Sequence, residues 1–341
     1  MNILLTGASG FAGAHMLKYL LENTKAHIFC PVTYSHGGLI ERIPSVVGRA
    51  YGDRFTLMEI DLADSLAVRT LNFSEYNLVI NYASESHVDR SISNPKEFTS
   101  NNTSLMINLL EQTRLQKNLP FVHLSTDEVY GPIPQGETNF EWERIHLPSN
   151  PYSASKSAQE SLAVAYFKTY NFPICIINAT NMLGEAQNQE KFIPKVIRKI
   201  LQSELINIDT NLAGEIGTRK YLDVKDVAKA VWGASLLLLD KEKTAKSTTF
   251  ELPYKFHISG TEEISNLEVV NIVSSEMGKV AETQISPSPR PGYDLRYDLT
   301  SHSVDLINWA ASPNARIRIA EVCKWTLANP EWLSHDHTSL D

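Results

Sequence analysis

A glycine-rich loop at the start of the chain most strongly limits the fold. Gly7, Gly10 and Gly13 follow the apolar run ILLT and open a stretch in which apolar residues have helical spacing. Glycines at these positions allow a tight turn, and they let backbone N–H groups approach a pyrophosphate at a helix N-terminus. The loop therefore predicts a dinucleotide-binding fold, against the alternative of a purely structural glycine turn.

Short apolar or β-branched runs alternate with helical patterns through the first half of the chain. The runs are ILLT, HIFC, FTLMEI, LVINYA, FVHLS and ICIIN, and the helical patterns cover residues 11–21, 101–115 and 153–170. Such alternation is typical of parallel strands joined by crossover helices. We therefore expect an α/β fold with a Rossmann-like, doubly wound parallel sheet.

The second half of the chain is less regular. Helical patterns at 225–239 and 315–327, a β-like TFEL and a proline-rich loop SPSPRPGYD stand in mixed sequence. We predict a dinucleotide-binding domain from residues 1–180, with a return at about 218–256. Residues 181–217 and 257–332 are predicted to form a smaller, interleaved C-terminal substrate lobe.

Charge and cysteine content narrow the class of protein. The net charge of −8 comes without like-charge blocks, which argues against nucleic acid or an anionic membrane as a partner. Cys30, Cys175 and Cys323 are far apart and form no CxxC pair, so we expect no metal site and a reduced, cytoplasmic setting. The chain shows no secretory signal, and the apolar stretch at 231–239 is too short to span a bilayer.

Tyr152 and Lys156 are four positions apart, so on a helix both side chains lie on one face. Lowering a tyrosine pKa from about 10 to neutrality needs about 4 kcal/mol. An ammonium about 5 Å from the phenol contributes roughly 3 kcal/mol at an effective dielectric of about 20, and a nicotinamide cation can supply the remainder. The pair predicts a tyrosine base, against the alternative of an ordinary surface helix.

A carboxyl pair follows the apolar run FVHL. Asp127 and Glu128 lie at the carboxyl edge of a predicted strand, where doubly wound folds bind their ligands. Neighbouring residues on a regular strand point to opposite faces, so the chain must bend at Asp127 for both carboxylates to reach one ligand. The alternative is an acidic turn that faces solvent.

Four further segments narrow the class of protein: STDEVYG, YASESHVDRSISNP, QEKFIP and RPGYDLRY. Together they resemble the nucleotide-sugar 4,6-dehydratases of the extended short-chain dehydrogenase/reductase superfamily, most closely the dTDP-glucose 4,6-dehydratases, and the likeness runs from Met1 to about Trp332. The GxxGxxG spacing and the Tyr-x-x-x-Lys pair also match the superfamily. The resemblance implies a lyase that acts on a nucleotide-diphosphate hexose through bound NAD and forms a homodimer.

The resemblance also assigns roles to single residues. It implies that Tyr152 takes the proton of the C4 hydroxyl, Glu128 takes the C5 proton, and Asp127 protonates the departing C6 hydroxyl; Thr126 and Lys156 complete the catalytic set. The implied NAD contacts are Gly7, Gly10, Phe11, Ala12, Gly13, Thr33, Asp61, Leu62, Tyr82, Ala83, Ser84, Tyr152 and Lys156. The implied substrate contacts are Ser84, Glu85, His87, Thr126, Asn181, Lys191, Arg219, Arg290 and Tyr293. For Asp61 alone, a helix N-cap is the alternative.

Departures from the family pattern leave the cofactor and the substrate open. Cys30 begins the stretch in which an acid should hold the adenosine ribose, so NAD is expected through Thr33, Ser35 or backbone groups, and NADP stays an alternative. The segment 181–187, Lys220 and Tyr293 also depart from the pattern. The alternative substrates to dTDP-glucose are therefore UDP-glucose, CDP-glucose or a nucleotide-linked N-acetylated hexose.

Other classes of protein share parts of this pattern. A nucleotide-sugar epimerase or decarboxylase is the nearest alternative, and the Asp127 and Glu128 pair argues against it. A simple alcohol dehydrogenase would release reduced cofactor. A non-catalytic nucleotide-sugar-binding protein has no need of Tyr152, Lys156 and both carboxylates together.

Overall fold

The structure is a computed structural model that describes residues 1–34, 37–48, 52–116, 119–143, 145–240, 242, 251–289 and 293–333. Its strands are β1 (Asn2–Thr6), β2 (His27–Val32), β3 (Phe55–Glu59), β4 (Leu78–Asn81), β5 (Phe121–Thr126), β6 (Ile174–Ala179), β7 (Met182–Leu183), β8 (Ile206–Thr210), β9 (Thr218–Lys220), β10 (Leu222–Asp223), β11 (Tyr254–Ile258), β12 (Glu263–Ser265) and β13 (Thr283–Pro287). Seven of them form one parallel sheet in the order β11, β6, β5, β4, β1, β2, β3. The predicted Rossmann-like doubly wound sheet is confirmed.

Ten α-helices are present in the described part of the chain. They are α1 (Phe11–Asn23), α2 (Arg42–Val47), α3 (Ser65–Val68), α4 (Val88–Ser93), α5 (Pro95–Leu115), α6 (Pro151–Tyr170), α7 (Phe192–Leu201), α8 (Val224–Leu239), α9 (Asn266–Met277) and α10 (Ala315–Ala328). The five predicted helices are confirmed with small shifts of their ends. The largest shift is in α5, which begins at Pro95 because proline suits the first helical position.

The central strands of the sheet are buried on both faces, whereas the edge strand β3 is largely exposed. Ile3 and Leu5 of β1 pack with α1 and α8 on one side, and Leu4 packs with α5 and α6 on the other. Each such side chain, fully buried, contributes about 1.5–3 kcal/mol. Burial on both faces explains why the sequences of the central strands are continuous apolar runs.

The strand order reverses between β1 and β4. From β1 the chain proceeds to β2 and β3, and from β4 it proceeds in the opposite direction to β5, β6 and β11. Crossover connections diverge at such a point and leave a crevice outside the carboxyl ends of the strands. The glycine loop follows β1 directly, so the fold places it at this crevice.

The seventh strand, β11, lies just after the predicted β-like segment TFEL. TFEL falls partly outside the described residues, and the strand is Tyr254–Ile258 instead. Its Lys255 and His257 look like surface residues in sequence, yet both are buried. Lys255 Nζ donates to Glu160 Oε2 at 2.8 Å, and His257 Nε2 lies 2.7 Å from the Tyr130 hydroxyl, so distant partners compensate their burial.

A separate hydrophobic core lies in the second half of the chain. It joins α7, α9 and α10 with β8, and contains Ile197, Ile208, Val270 and Ile319 among others. Strand β13 begins before the proline-rich loop and includes Ser286 and Pro287. Arg290 lies outside the described residues.

Two further observations concern the predicted setting. Cys30, Cys175 and Cys323 are all buried, free thiols. No helix in the described ranges combines the length and the apolarity that a membrane crossing requires.

Candidate active site

A cleft of about 1260 Å³ is lined by residues that follow β1, β2, β3, β4, β5 and β6. Pockets for one small ligand usually measure about 300–1000 Å³, so this cleft has room for two ligands side by side. The structure brings together in its lining Gly7, Gly10, Phe11, Ala12, Gly13, Thr33, Asp61, Leu62, Tyr82, Ala83, Ser84, Glu85, His87, Thr126, Asp127, Glu128, Tyr152, Lys156, Asn181, Lys191, Arg219 and Tyr293. Of the residues named from sequence, Ser35 and Arg290 lie outside the described part.

The glycine loop admits no larger side chain at two positions. Gly7 has φ +72°, and a Cβ there would lie 2.8 Å from the backbone nitrogen of Ala83. A Cβ at Gly13 would lie 2.0 Å from the Gly7 carbonyl oxygen. The loop thus brings β1 and β4 together at the N-terminus of α1, and its shape fits a bound pyrophosphate.

Arg42 holds this loop through hydrogen bonds and does not line the cleft. This role was not predicted from the sequence. Its guanidinium donates to the Ser9 and Gly37 carbonyls at 2.7 Å, to Asn188 Oδ1 at 2.9 Å and to the Ala186 carbonyl at 3.1 Å. The side chain is fully buried. In sequence it stands as one arginine in a short amphipathic helix, where a solvent-facing charge is the usual interpretation.

The adenosine side of the cleft lacks the expected acid. Cys30 is buried inside the sheet and does not line the cleft, whereas Thr33 does. Asp61 Oδ1 accepts from the Ala63 nitrogen at 2.8 Å, and Asp64 is the N-cap of α3, so the helix-cap alternative for Asp61 is wrong. Ser35 lies outside the described residues.

Helix α6 carries the predicted tyrosine and lysine. Its start is defined by Asn150 as N-cap, Pro151 at the first helical position and a capping box with Ser153. Lys156 Nζ donates to the Leu124 carbonyl at 2.8 Å and to Gln159 Oε1 at 2.8 Å. Burial lowers the pKa of Lys156 to about 7, although the charge of Glu160 raises it.

Tyr152 differs from the expectation of a lowered pKa. Burial raises its pKa above the usual value, the charges of Glu128 and Asp127 raise it further, and the hydrogen bond with Thr126 lowers it. The hydrogen bonds of the Lys156 ammonium go to Leu124 and Gln159. Burial and the two carboxylates therefore disfavour the charged form of the phenol.

The predicted bend after β5 is present. The strand ends at Thr126, and Asp127–Tyr130 form a 3-10 turn whose N-cap is Thr126, with its hydroxyl 3.3 Å from the Glu128 nitrogen. Both carboxylates line the cleft. Asp127 is only 4% exposed, so the alternative of an acidic turn facing solvent is wrong.

The two carboxyl groups differ in their surroundings. Burial and the charge of Glu128 raise the pKa of Asp127 to about 7. Its Oδ1 accepts from the Thr126 hydroxyl at 3.0 Å, whereas its buried Oδ2 has no partner within the described structure. Burial and the charge of Asp294 raise the pKa of Glu128, and a hydrogen bond from Asn150 lowers it.

The side of the cleft that contains Arg219 and Tyr293 is formed by both halves of the chain. Arg219 donates to the Asp294 carbonyl at 2.9 Å and lies over the Tyr297 ring at 5.2 Å. The Tyr293 hydroxyl accepts from the Gly217 nitrogen at 2.9 Å and donates to the Asp209 carbonyl at 2.8 Å. These contacts fix the segment around Tyr293 against β8 and β9.

The loop after β4 is held by a second residue that sequence reasoning missed. Asn102 on α5 accepts from the Glu85 nitrogen at 2.8 Å and donates to the Glu85 carbonyl at 3.0 Å and to Ser155 Oγ at 2.9 Å. An asparagine inside a long helix was the available signal for Asn102.

His87 caps α4, and Lys191 Nζ donates to the Ser86 carbonyl at 3.0 Å. Burial and the charge of Lys191 lower the pKa of His87.

Two of the departures from the family pattern point away from the cleft. Glu185 accepts from Arg318 at 2.6 Å and Lys225 at 3.1 Å, and although burial raises its pKa, these contacts lower it to about 2. Lys220 pairs with Asp298 at 2.6 Å. Neither Glu185 nor Lys220 lines the cleft, whereas Tyr293 does. In the part of the chain that the structure describes, no group of three His, Cys, Asp or Glu side chains is arranged to hold a metal.

The chain is similar to several known proteins. The family described as GDP-mannose 4,6 dehydratase matches residues 4–308. The dTDP-glucose 4,6-dehydratase of Xanthomonas campestris pv. campestris is 32% identical, over 97% of this chain and 94% of the relative. DesIV, a dTDP-glucose 4,6-dehydratase from Streptomyces venezuelae solved with NAD bound, is 26% identical with a TM-score of 0.82, over 97% of this chain and 98% of that chain.

The fold itself is shared more widely. UDP-glucuronic acid 4-epimerase from Bacillus cereus has a TM-score of 0.81 at 21% identity, over 96% of this chain and 100% of that chain. At this identity the likeness concerns the fold alone. The family match spans most of the chain, and the chain belongs to the GDP-mannose 4,6 dehydratase family, nucleotide-sugar 4,6-dehydratases of the extended short-chain dehydrogenase/reductase superfamily.

Proposed function

We propose that this chain is an NAD-dependent hydro-lyase that converts an NDP-glucose, with dTDP-glucose as the first choice, into an NDP-4-keto-6-deoxyhexose and water. The observation that carries the proposal is the carboxyl pair in the cleft with Tyr152, in which Asp127 is buried, has a pKa of about 7 and has an unpartnered oxygen. An acid that is protonated near neutrality suits elimination of water. The similar proteins from Xanthomonas and Streptomyces support the same substrate.

The cleft suits NAD on physical grounds. A Cβ at Gly7 or Gly13 would collide with neighbouring backbone, so the glycines keep the loop tight at the N-terminus of α1, and that N-terminus favours a diphosphate. NAD, when bound, supplies a hydride acceptor at C4 and a hydride donor at C6, and it is unchanged overall. In the described residues, no cation follows β2 in the cleft lining to pair with the additional phosphate of NADP, and similar dTDP-glucose 4,6-dehydratases were solved with NAD bound, so the cleft is assigned to NAD.

Three side chains divide the proton transfers between them. Tyr152 takes the proton of the C4 hydroxyl, and the ketone that results makes the C5 proton acidic. Glu128 removes that proton and later returns one to C5, while Asp127 protonates the departing C6 hydroxyl, which leaves as water. Tyr152 has then gained one proton and Asp127 has lost one. A transfer of one proton between them, directly or through solvent, restores the resting state.

The raised pKa of Tyr152 gives the cofactor an electrostatic role in this scheme. Burial and the two carboxylates disfavour the phenolate in the chain alone. A cationic ring bound beside the phenol would lower its pKa, as would a protonated Lys156. We therefore expect Tyr152 to act as a base only when oxidised cofactor is bound.

A panel of nucleotide-diphosphate hexoses tests the function. We expect mass spectrometry to show a product lighter by one water, with no accumulation of reduced cofactor, for the dTDP, UDP, CDP or N-acetylated sugar that the cleft accepts. An epimerase would change configuration at constant mass. A protein that only binds nucleotide sugars would leave every member of the panel unchanged, and either result would contradict the proposal.

We further propose a homodimer through α5 and α6. The two helices pack against each other along the sheet, and Ile107 and Leu115 of α5 remain 39% and 60% exposed. A second copy could cover them in a four-helix arrangement. Light scattering at micromolar concentration should give twice the mass of one chain, and a monomer would count against the proposal.

The division into domains is also a proposal. The separate core of α7, α9 and α10 supports a NAD-binding domain of residues 1–180, with a return at about 218–256, and a nucleotide-sugar lobe of residues 181–217 and 257–332. If binding of a nucleotide sugar slows hydrogen exchange throughout the lobe as one unit, that result would support this division.

We propose a cytoplasmic location, consistent with the three free thiols and testable by cell fractionation.

A further inference from the structure

Asn150 makes two kinds of contact at the start of α6. Its side-chain oxygen accepts from the Ser153 nitrogen at 2.9 Å, which makes it the N-cap of the helix. Its amide nitrogen donates to Glu128 Oε2 at 3.2 Å and lies 3.3 Å from Ser149 Oγ. Asn150 is 7% exposed. The side-chain oxygen and the amide nitrogen of Asn150 are therefore both hydrogen-bonded, and the nitrogen bonds to Glu128, the carboxylate assigned as the C5 base.

The contacts continue beyond Asn150. The Ser149 hydroxyl donates to Asp294 Oδ1 at 2.5 Å and lies 3.3 Å from the Tyr297 hydroxyl. Asp294 is buried, and its negative charge acts on Glu128. The chain Asp294, Ser149, Asn150, Glu128 thus links the C-terminal segment to the carboxylate through the N-cap of the catalytic helix.

We propose that Asn150 is a positioning residue for Glu128, and that it fixes the carboxylate to the same helix turn that carries Tyr152. The inference rests on the proposed function, because it assigns Glu128 the removal of the C5 proton. The Glu128 backbone belongs to the turn after β5, whereas Tyr152 belongs to α6. The Asn150 amide links these two elements directly. It therefore holds Glu128 at a fixed position relative to Tyr152 during both proton transfers, the first from the C4 hydroxyl and the second from C5.

The same contact acts on proton affinity. A hydrogen bond donated to a carboxylate favours its charged form, and a nearby negative charge disfavours it. Asn150 and Asp294 therefore oppose each other at Glu128. The other titratable groups around Glu128 are Asp127 on the same turn, Tyr152 on α6, Tyr297 in the C-terminal segment, Arg219 on β9 and Lys191 before α7.

Asn150→Ser separates the two contacts. Serine is as good an N-cap as asparagine, so α6 keeps its start, but its shorter side chain has no amide to reach Glu128. We expect turnover to fall about ten-fold with a small change in KM, since a hydrogen bond to a charged group is lost. We expect the isotope effect from deuterium at C5 to increase and that from deuterium at C4 to stay constant. The acidic limb of the pH profile should move up by about one unit, because the carboxylate loses its donor.

Two further variants make the test decisive. Asn72→Ser is the same substitution at an exposed N-cap outside the cleft, and it should behave like wild type. Asn150→Asp also keeps the cap but places a carboxylate beside Glu128, and it should move the acidic limb further upward than serine does. If Asn150→Ser fails to fold, the acidic limb of the pH profile of Asn150→Asp is the deciding measurement. An upward shift supports the inference, and no shift contradicts it.

Three results would overturn the inference. Asn150→Ser with wild-type turnover and pH profile would show that the contact has no role. Lost turnover with unchanged isotope effects and an unchanged acidic limb would show that Asn150 only supports the helix. A wild-type protein that forms no dehydrated product would instead refute the proposed function, and the inference with it. If the wild type is active and Asn150→Ser behaves like it, only the inference is refuted.

Discussion

Tyr152→Phe should lower turnover by about 10²–10⁴-fold, the usual range for loss of a general base. The phenyl ring keeps the edge contact with Phe98, whose ring centre lies 6.3 Å away, so the fold and the cleft should persist. Because the C5 proton becomes acidic only after C4 is oxidised, exchange at C5 should be lost together with water release. Stopped-flow absorbance of bound NADH and deuterium exchange from D2O measure the two steps.

Tyr170→Phe is the matched control for this experiment. Tyr170 is the last residue of the same helix, is 47% exposed and does not line the cleft. Its turnover should equal that of wild type. A Tyr152→Phe protein that still exchanges the C5 proton at the wild-type rate would contradict the role of the phenol.

Asp127→Asn should separate two steps that occur together in the wild type. Asparagine resembles the protonated acid in shape, and it keeps an oxygen to accept the hydrogen bond that Thr126 donates at 3.0 Å. It cannot give a proton to the departing C6 hydroxyl, so water loss should fall about 10²-fold or more. Removal of the C5 proton by Glu128 should continue within a few-fold of wild type. Product formation by mass spectrometry and C5 exchange by NMR give the two rates.

The control for this variant is Asp53→Asn at an exposed turn outside the cleft. It should leave both rates unchanged. Equal losses of water release and C5 exchange in Asp127→Asn would refute the division of roles between the two carboxyl groups.

Local sequence patterns predicted most of the fold. Continuous apolar runs predicted six of the seven sheet strands. The central strands are covered on both faces, which excludes polar alternation, and the edge strand β3 has an apolar run although it is largely exposed. The seventh, β11, was missed because Lys255 and His257 break its apolar pattern. Their partners, Glu160 and Tyr130, lie far away in the sequence, and no local pattern reveals such pairs.

The same limit applies to the site. Residues that define motifs, such as Gly7 and Asp127, were found from their position after a strand. Arg42, Asn102 and Asn150 were missed because their contacts join segments that are distant in the chain or elements whose packing is not visible locally. The direction of the Tyr152 pKa was also missed, since it depends on how deeply the phenol is buried beside two carboxylates.

In the proposed reaction, the hydride removed from C4 returns to C6 of the same sugar. The direct test is an NDP-glucose with deuterium at C4, incubated with the wild-type protein, followed by NMR of the product. We predict that the deuterium appears in the new C6 methyl group, with no net reduced cofactor. Deuterium released to solvent, or retained on cofactor that leaves the protein, would contradict the account.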